Sequence, residues 1–333
     1  AVPGNSNYRF ALTSLTSLFF MWGFITCLND ILVPYLKGLF DLNYTQALLI
    51  QFCFFSAYFV VSVPAGILVS RIGYQSGIVT GLLIAGAGCL LFYPAAELAT
   101  YPLFLTALFV LAGGITLLQV SANPYVAALG SARTAASRLS LAQAVNSLGH
   151  TLAPLFGAAL IFGAASAGAK AVQLPYLLLA GFCLVVTVIF ARLRLPTLQV
   201  EPDATVTASA THSTKQQLPL HFYGAVAAIF LYVGAEVSIG SFLINYLALP
   251  ELGAFNEQTA STWVSYYWGG AMLGRFAGAV ITRYINALLV LAVHAVIAIA
   301  LLLLTMSQTG MLAAVAVIAI GFFNSIMFPT IFT

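Results

Sequence analysis

The chain is 333 residues long, 62% hydrophobic and only 6% charged, with a formal net charge of +3. A soluble domain carries about 25% charged residues, so a soluble fold is excluded. The small positive charge is spread along the chain rather than gathered in a patch, which argues against a nucleic-acid or acidic partner.

Apolar runs of about 20 residues, each enough to cross the hydrocarbon of a bilayer as a helix, recur along nearly the whole length. Stretches such as 287–306 are apolar on every side rather than alternating, which excludes a membrane β-barrel. The pattern predicts an all-α integral membrane protein with helices over 10–36, 45–70, 76–95, 102–129, 136–163 and 174–193. A polar stretch rich in Thr, Ser and Ala follows, and further helices are predicted over 220–249, 258–282, 287–306 and 311–333. Residues 1–8 lack the basic segment and cleavage site of a signal peptide, so the first span is expected to be retained. Cys27, Cys53, Cys89 and Cys183 fall inside apolar segments without metal-ligand spacing and read as small buried hydrophobes.

Arg9, Arg71, Arg133, Arg138, Arg192, Arg194, Lys215 and Arg283 fall on one side of this topology, and Lys37 and Lys170 on the other. The first side is therefore expected to be cytoplasmic, together with the N-terminus and the linker. Asp41, Glu97, Glu251 and Glu257 fall on the opposite side.

The two halves resemble each other. Asp30 and Glu236 are 206 residues apart, Gly66-Ile-Leu-Val-Ser-Arg71 matches Gly278-Ala-Val-Ile-Thr-Arg283, and Gln119 with Pro124 matches Asn324 with Pro329. Three matches in one order predict a duplicated six-helix unit. The expected division is a six-helix bundle over 1–194, a cytoplasmic linker over 195–219, and a second bundle over 220–333. By the same offset the second bundle holds helices 7–10, about ten helices are present, and helices 11 and 12 are expected to be missing.

Few ionisable groups lie deep in the spans. A carboxylate at the bilayer centre costs several kcal/mol, about 3 on insertion scales, so Asp30 and Glu236 are the candidate ion-coupling residues. Asp30 could accept a proton, bind Na+ or hydrogen-bond a polar solute. Helix 5 carries Gln143, Asn146, Ser147 and His150 on one face, helix 4 carries Thr116, Gln119 and Asn123, and helix 1 carries Trp22, Thr26, Asn29 and Asp30. Amides both donate and accept, which suits hydroxyl-bearing solutes; the alternative for each is hydrogen-bonding glue between helices. Trp268, in the cluster Trp263, Tyr266, Tyr267 and Trp268, could stack on a sugar ring. Arg275 is a candidate gate residue, and His294 carries no function. No GxxxxGK[ST], HExxH or CxxC motif is present, so ATP-driven transport and zinc chemistry lack support. No metal or organic cofactor is expected beyond a coupling ion, H+ or Na+, with Na+ possible near Asp30.

The run Phe19-Phe-Met-Trp22-Gly-Phe-Ile-Thr-Cys-Leu-Asn29-Asp30, with Pro64-Ala-Gly-Ile-Leu, Gln119-Val-Ser-Ala-Asn-Pro-Tyr125, Leu141-Ala-Gln-Ala-Val-Asn-Ser-Leu-Gly149 and Gly321-Phe-Phe-Asn-Ser-Ile-Met-Phe-Pro-Thr-Ile-Phe332, resembles the bacterial L-fucose permease and glucose/galactose transporter family of the major facilitator superfamily. The resemblance implies a major facilitator fold of two six-helix bundles with a hexose site near the midplane between them. It implies cation-coupled symport of a hexose such as glucose or galactose, sugar contacts from Gln143 and Asn146, and a coupling role for Asp30. Gln119, Asn29, Asn123, Trp268 and Glu236 would complete the cavity. Where the fucose branch has a glutamate before its ANP motif this chain has Gln119, which points to the glucose/galactose branch. The superfamily's GxLADRxGRK loop is present only as Gly66-Ile-Leu-Val-Ser-Arg71-Ile-Gly73-Tyr-Gln75. Its charged latch is expected to be weakened while Gly66, Arg71 and Gly73, with Gly278 and Arg283 in the second half, keep the loop geometry. The implied setting is the bacterial inner membrane, as a functional monomer among lipids with a small sugar as partner. The alternatives are L-fucose or another polar solute on the same fold, or a membrane receptor or scaffold without transport.

Overall fold

The computed structural model describes residues 5–161, 168–193, 195, 220–252, 255 and 257–333; the side chains of some helical residues within these ranges, Asn29 and Asp30 among them, lie outside the description. Apart from Leu195, the expected linker also lies outside the described residues.

Among the described residues the regular structure is helical: α1 Asn5–Leu39, α2 Tyr44–Ile72, α3 Tyr74–Glu97, α4 Tyr101–Ala128, α5 Ala135–Leu160, α6 Gln173–Arg192, α7 Leu220–Leu247, α8 Glu257–Tyr284, α9 Ala287–Ser307, α10 Gly310–Asn324 and α11 Met327–Phe332. Their ends follow local chemistry. At the start of α2 the Gln46 amide N–H donates to Asn43 Oδ1 at 2.9 Å and the Asn43 N–H donates to Gln46 Oε1 at 3.0 Å, a reciprocal cap that satisfies two otherwise orphaned donors. The helix ends at Gly73, whose φ of +82° only glycine adopts without strain. Asn286 caps α9 by accepting from the Leu288 N–H at 2.9 Å.

Eight segments among the described residues are long and apolar enough to cross a bilayer. The last of them, Gly310–Phe332, takes in both α10 and α11, and α5 and α8 are the long helices left out. Those two carry Gln143, Asn146, Ser147, His150 and Arg275 among the polar side chains singled out above, which lowers their mean hydropathy. Outward-facing side chains elsewhere are strongly apolar: Phe59 is 85% exposed and Phe230 78%, an arrangement stable only where lipid, not water, covers them.

The last span, expected as one helix over 311–333, is two. Pro329 has no N–H to offer the Ser325 carbonyl four residues back, and its ring crowds that carbonyl; the helix stops at Asn324 and resumes at Met327. The Ser325 hydroxyl donates to the Phe322 carbonyl at 2.6 Å across the break.

The chain divides into two compact units, Ala1–Leu129 with Leu148–Leu198, and Gly130–Ser147 with Gln199–Thr333. In the first, α3 packs mainly against α4 and α6. Its contact with α4 is backbone to backbone: a Cβ at Gly88 would come within 2.6 Å of Leu111 Cα, and one at Gly114 within 2.7 Å of Ala85 Cα. Small residues allow this approach, which is the main source of packing energy where lipid removes the hydrophobic drive between helices. In the second unit α10 packs on α8 and α9, around Leu243, Leu247, Tyr267, Ala314, Val317 and Ile320.

Candidate functional site

In the first unit, α4 presents its polar face unevenly. The Thr116 and Ser121 hydroxyls donate to the carbonyls of Ala112 and Leu117 in their own helix, each at 2.8 Å. That spends their donors locally and leaves the amides of Gln119 and Asn123 to serve other groups. Asn123 is buried. Gln119 donates through Nε2 to the Tyr58 hydroxyl of α2 at 3.1 Å. Tyr58 was not singled out from the sequence, although a phenol halfway along a membrane helix, far from either interface, is a usable signal. On α1, Trp22 is buried with its ring 4.7 Å from that of Phe19, and the Thr26 hydroxyl is buried without a hydrogen bond. The side chains of Asn29 and Asp30, and with them any Na+ site at Asp30, lie outside the described residues.

The α5 stripe begins in the second unit. Gln143, Asn146 and Ser147 are all buried, while Leu141 and Leu148 on other faces are exposed. His150, in the first unit's share of α5, is half-buried. The helix is held close to α1 at Gly149, where a Cβ would fall 2.8 Å from the Phe24 backbone nitrogen.

In the second unit the two ionisable groups of α7 and α8 meet. Arg275 Nη2 donates to Glu236 Oε1 at 3.3 Å, with only 14% and 13% of the two side chains exposed. The other terminal guanidinium nitrogen, Nη1, donates to the Ser147 hydroxyl, and that hydroxyl donates to the Gln143 carbonyl at 3.0 Å. The sequence placed Glu236 and Arg275 in separate roles; one guanidinium joins the carboxylate to the amide-bearing helix. A charge pair so enclosed is tolerable because each ion neutralises the other. Trp268 lies against Gly240 of α7, where a Cβ would come within 2.7 Å of its ring, and is 42% exposed. It stands edge-on to Tyr267 at 5.1 Å. His294 is bonded through Nδ1 to the Phe323 carbonyl at 3.1 Å.

The paired loop motifs differ in the two halves. Arg71 and Arg283 are both exposed, the latter 5.8 Å from the centroid of the Tyr284 ring. Nothing lies within 4 Å of a Cβ placed at Gly66, whereas one at Gly278 would collide with Ile326. Gly278 is there for close packing, and Gly66 is not. At the loop, Gln75 donates through Nε2 to the carbonyls of Phe190 and Leu193 at 2.8 and 2.6 Å, capping the open C-terminus of α6. Tyr74 stacks on Tyr125 of α4 with ring centroids 5.7 Å apart and planes at 16°. Thus the two residues standing in place of the motif's basic pair bind the loop by a neutral cap and a ring stack. At the other end of this unit Lys170 pairs with Glu97 at 3.0 Å.

Among the described residues no group of three or more His, Cys, Asp or Glu side chains is placed to hold a metal. Among the described residues the first unit offers the amides of Gln119 and Asn123, and the second offers those of Gln143 and Asn146 with an enclosed ion pair.

Comparison with known proteins agrees. The model of the Major Facilitator Superfamily matches residues 13–333. A glucose/galactose transporter of Brucella abortus is 57% identical over 332 residues, covering 98% of this chain and 80% of that protein. The L-fucose-proton symporter of Escherichia coli is 34% identical over 349 residues, covering 98% and 80%. The crystal structure of the transporter FucP in its outward conformation superposes with a TM-score of 0.86 at 34% identity, over 98% of this chain and 84% of that one. The human organic anion transporter MFSD10 shares the fold with a TM-score of 0.58 at 15% identity. With the helices, the amide faces and these relatives together, the chain belongs to the Major Facilitator Superfamily of membrane transporters.

Proposed function

We propose that this protein is a secondary active transporter of the bacterial inner membrane that carries a hexose such as glucose or galactose by alternating access, in symport with H+ or Na+. The observation that carries the reading is the buried α5 face of Gln143, Asn146 and Ser147. Hydrogen-bonding capacity concentrated in a membrane helix is costly unless it is satisfied, and neutral amides match sugar hydroxyls, which also donate and accept. The 57% identity to a relative named as a glucose/galactose transporter supports the same substrate class.

In this reading Gln143 and Asn146 hold sugar hydroxyls, and Gln119, Asn123, Asn29 and Trp268 contribute further contacts. Asp30 is the coupling residue, with Glu236 as its counterpart in the second half. The protein works as an N-terminal and a C-terminal helical bundle with the N-terminus in the cytoplasm, as a monomer, without a cofactor beyond its coupling ion. L-Fucose is the second substrate to test, because the 34% identical relative is named for it.

The test is uptake of radiolabelled D-glucose, D-galactose and L-fucose by the full-length protein in liposomes under separately imposed proton and sodium gradients. Accumulation of a hexose driven by one gradient supports the reading and names the ion. Saturable binding with no uptake under either gradient would favour a receptor.

A further inference from the structure

The bridge from α7 to α5 has a geometry that only arginine supplies. A guanidinium is a rigid planar fork with separate donor heads. Here Nη2 is spent on Glu236 and Nη1 on Ser147. A serine hydroxyl can donate once and accept twice. That of Ser147 donates to the Gln143 carbonyl one turn back and accepts from Arg275, so it is pinned from both sides. Ser147 adjoins Asn146 in sequence and lies four residues from Gln143, the two side chains assigned above to sugar hydroxyls. Both members of the ion pair are largely enclosed, which keeps the attraction strong and the geometry narrow.

The surroundings offer Arg275 an alternative. The buried Tyr232 hydroxyl of α7 interacts with Glu236 and the buried Tyr267 hydroxyl of α8 with Asn324, and both lie in the electrostatic reach of Arg275. Asn324 of α10 neighbours Tyr267. The two phenol oxygens lie in the same electrostatic cluster, toward which the guanidinium can turn when Glu236 no longer holds it.

We propose that Arg275 and Glu236 are positioning residues for the sugar-binding face of α5: the carboxylate aims the guanidinium, the guanidinium fixes Ser147, and Ser147 sets the presentation of Gln143 and Asn146. Removing the charge of Glu236 by substitution releases Arg275 toward the two tyrosines and loosens the sugar face. Sugar affinity is thereby tied to the charge of a carboxylate that does not touch the sugar. The proposal rests on the hexose reading above.

The experiment measures initial rates of D-glucose and D-galactose uptake in liposomes for the full-length protein and for Ser147→Ala, Arg275→Lys, Glu236→Gln, Glu236→Asp and the Ser147→Ala/Arg275→Lys double variant. Lysine keeps the charge but has no second fixed head. Ser147→Ala and Arg275→Lys should each raise KM about fivefold, the size of one neutral hydrogen bond, with Vmax within about twofold. The double variant should be no worse than the poorer single variant, as expected for one shared contact. Glu236→Gln should raise KM similarly, and Glu236→Asp should restore it in part. Unchanged KM in Ser147→Ala, or multiplication of the two single effects in the double variant, would overturn the proposal. Ser147→Ala removes one hydroxyl and carries the test if the charge variants fail to fold. A parent protein that takes up neither sugar overturns the hexose reading and this proposal together, whereas uptake with unshifted KM overturns this one alone.

Discussion

Gln119 and Tyr58 form the polar tie between α4 and α2: the amide Nε2 donates to the phenol oxygen across 3.1 Å. Removing the phenol leaves a half-buried donor without its partner, which costs about 1–3 kcal/mol. Tyr58→Phe should therefore lower the melting temperature of the detergent-solubilised protein, whereas Tyr58→Phe combined with Gln119→Leu should recover most of the loss, because neither polar group then remains unsatisfied. Thermal unfolding of the three variants decides it; a double variant less stable than Tyr58→Phe alone would refute the pairing.

The enclosed pair of Glu236 and Arg275 predicts a second asymmetry, this one in stability. Deleting one partner strands a buried charge and costs about 3–5 kcal/mol, so Glu236→Ala should unfold at a markedly lower temperature than its parent. Replacing both ions, as in Glu236→Gln/Arg275→Met, should return stability close to that of the parent. Equal damage in the single and double variants would show that the two charges do not compensate each other.

Asp30→Asn removes the one ionisable group of α1 that was assigned to coupling. Uphill accumulation of hexose should vanish, while exchange of labelled for unlabelled sugar across the membrane continues. Gradient-driven uptake and counterflow, measured on the same vesicles, separate the two; persistent accumulation would remove Asp30 from the coupling role.

Packing separates two glycines that look alike on paper. Gly114→Val should abolish folded protein on size-exclusion chromatography, since even a Cβ there meets the Ala85 backbone. Gly66→Ala meets open space inside a helix and should be neutral or stabilising by about 0.4–1 kcal/mol. A destabilised Gly66→Ala would mean that the loop motif uses Gly66 for something other than room.

Which of these relationships could be read without coordinates follows from the range of each signal. Span positions are legible because twenty-residue apolar runs are local and long, and the predicted ends of the described helices fall close to those observed. The break at Ser325 has a legible cause in Pro329, yet Pro124 occupies the matching place in α4, which continues through it to Ala128. The same local signal therefore gives two outcomes. The polar stripe of α5 was legible as a face, since 3.6-residue periodicity reports which residues share a side. What that face touches was not: the meeting of Glu236 with Arg275, 39 residues apart, depends on how α7 and α8 are rotated about their axes. Tyr58 was hidden for the same reason, lying among Phe54 and Phe55 in a cluster of rings that reads as packing.

The loop between α2 and α3 is anchored by the carboxamide of Gln75 on the open carbonyls of α6. An amide carries a dipole and no net charge, so no cloud of counter-ions gathers around it or shields it. Its grip should be indifferent to the ionic strength of the adjoining water, whereas a latch of arginines and carboxylates would slacken as salt accumulates. A rise of salt in the water on this side of the membrane would leave this end of the first unit in register.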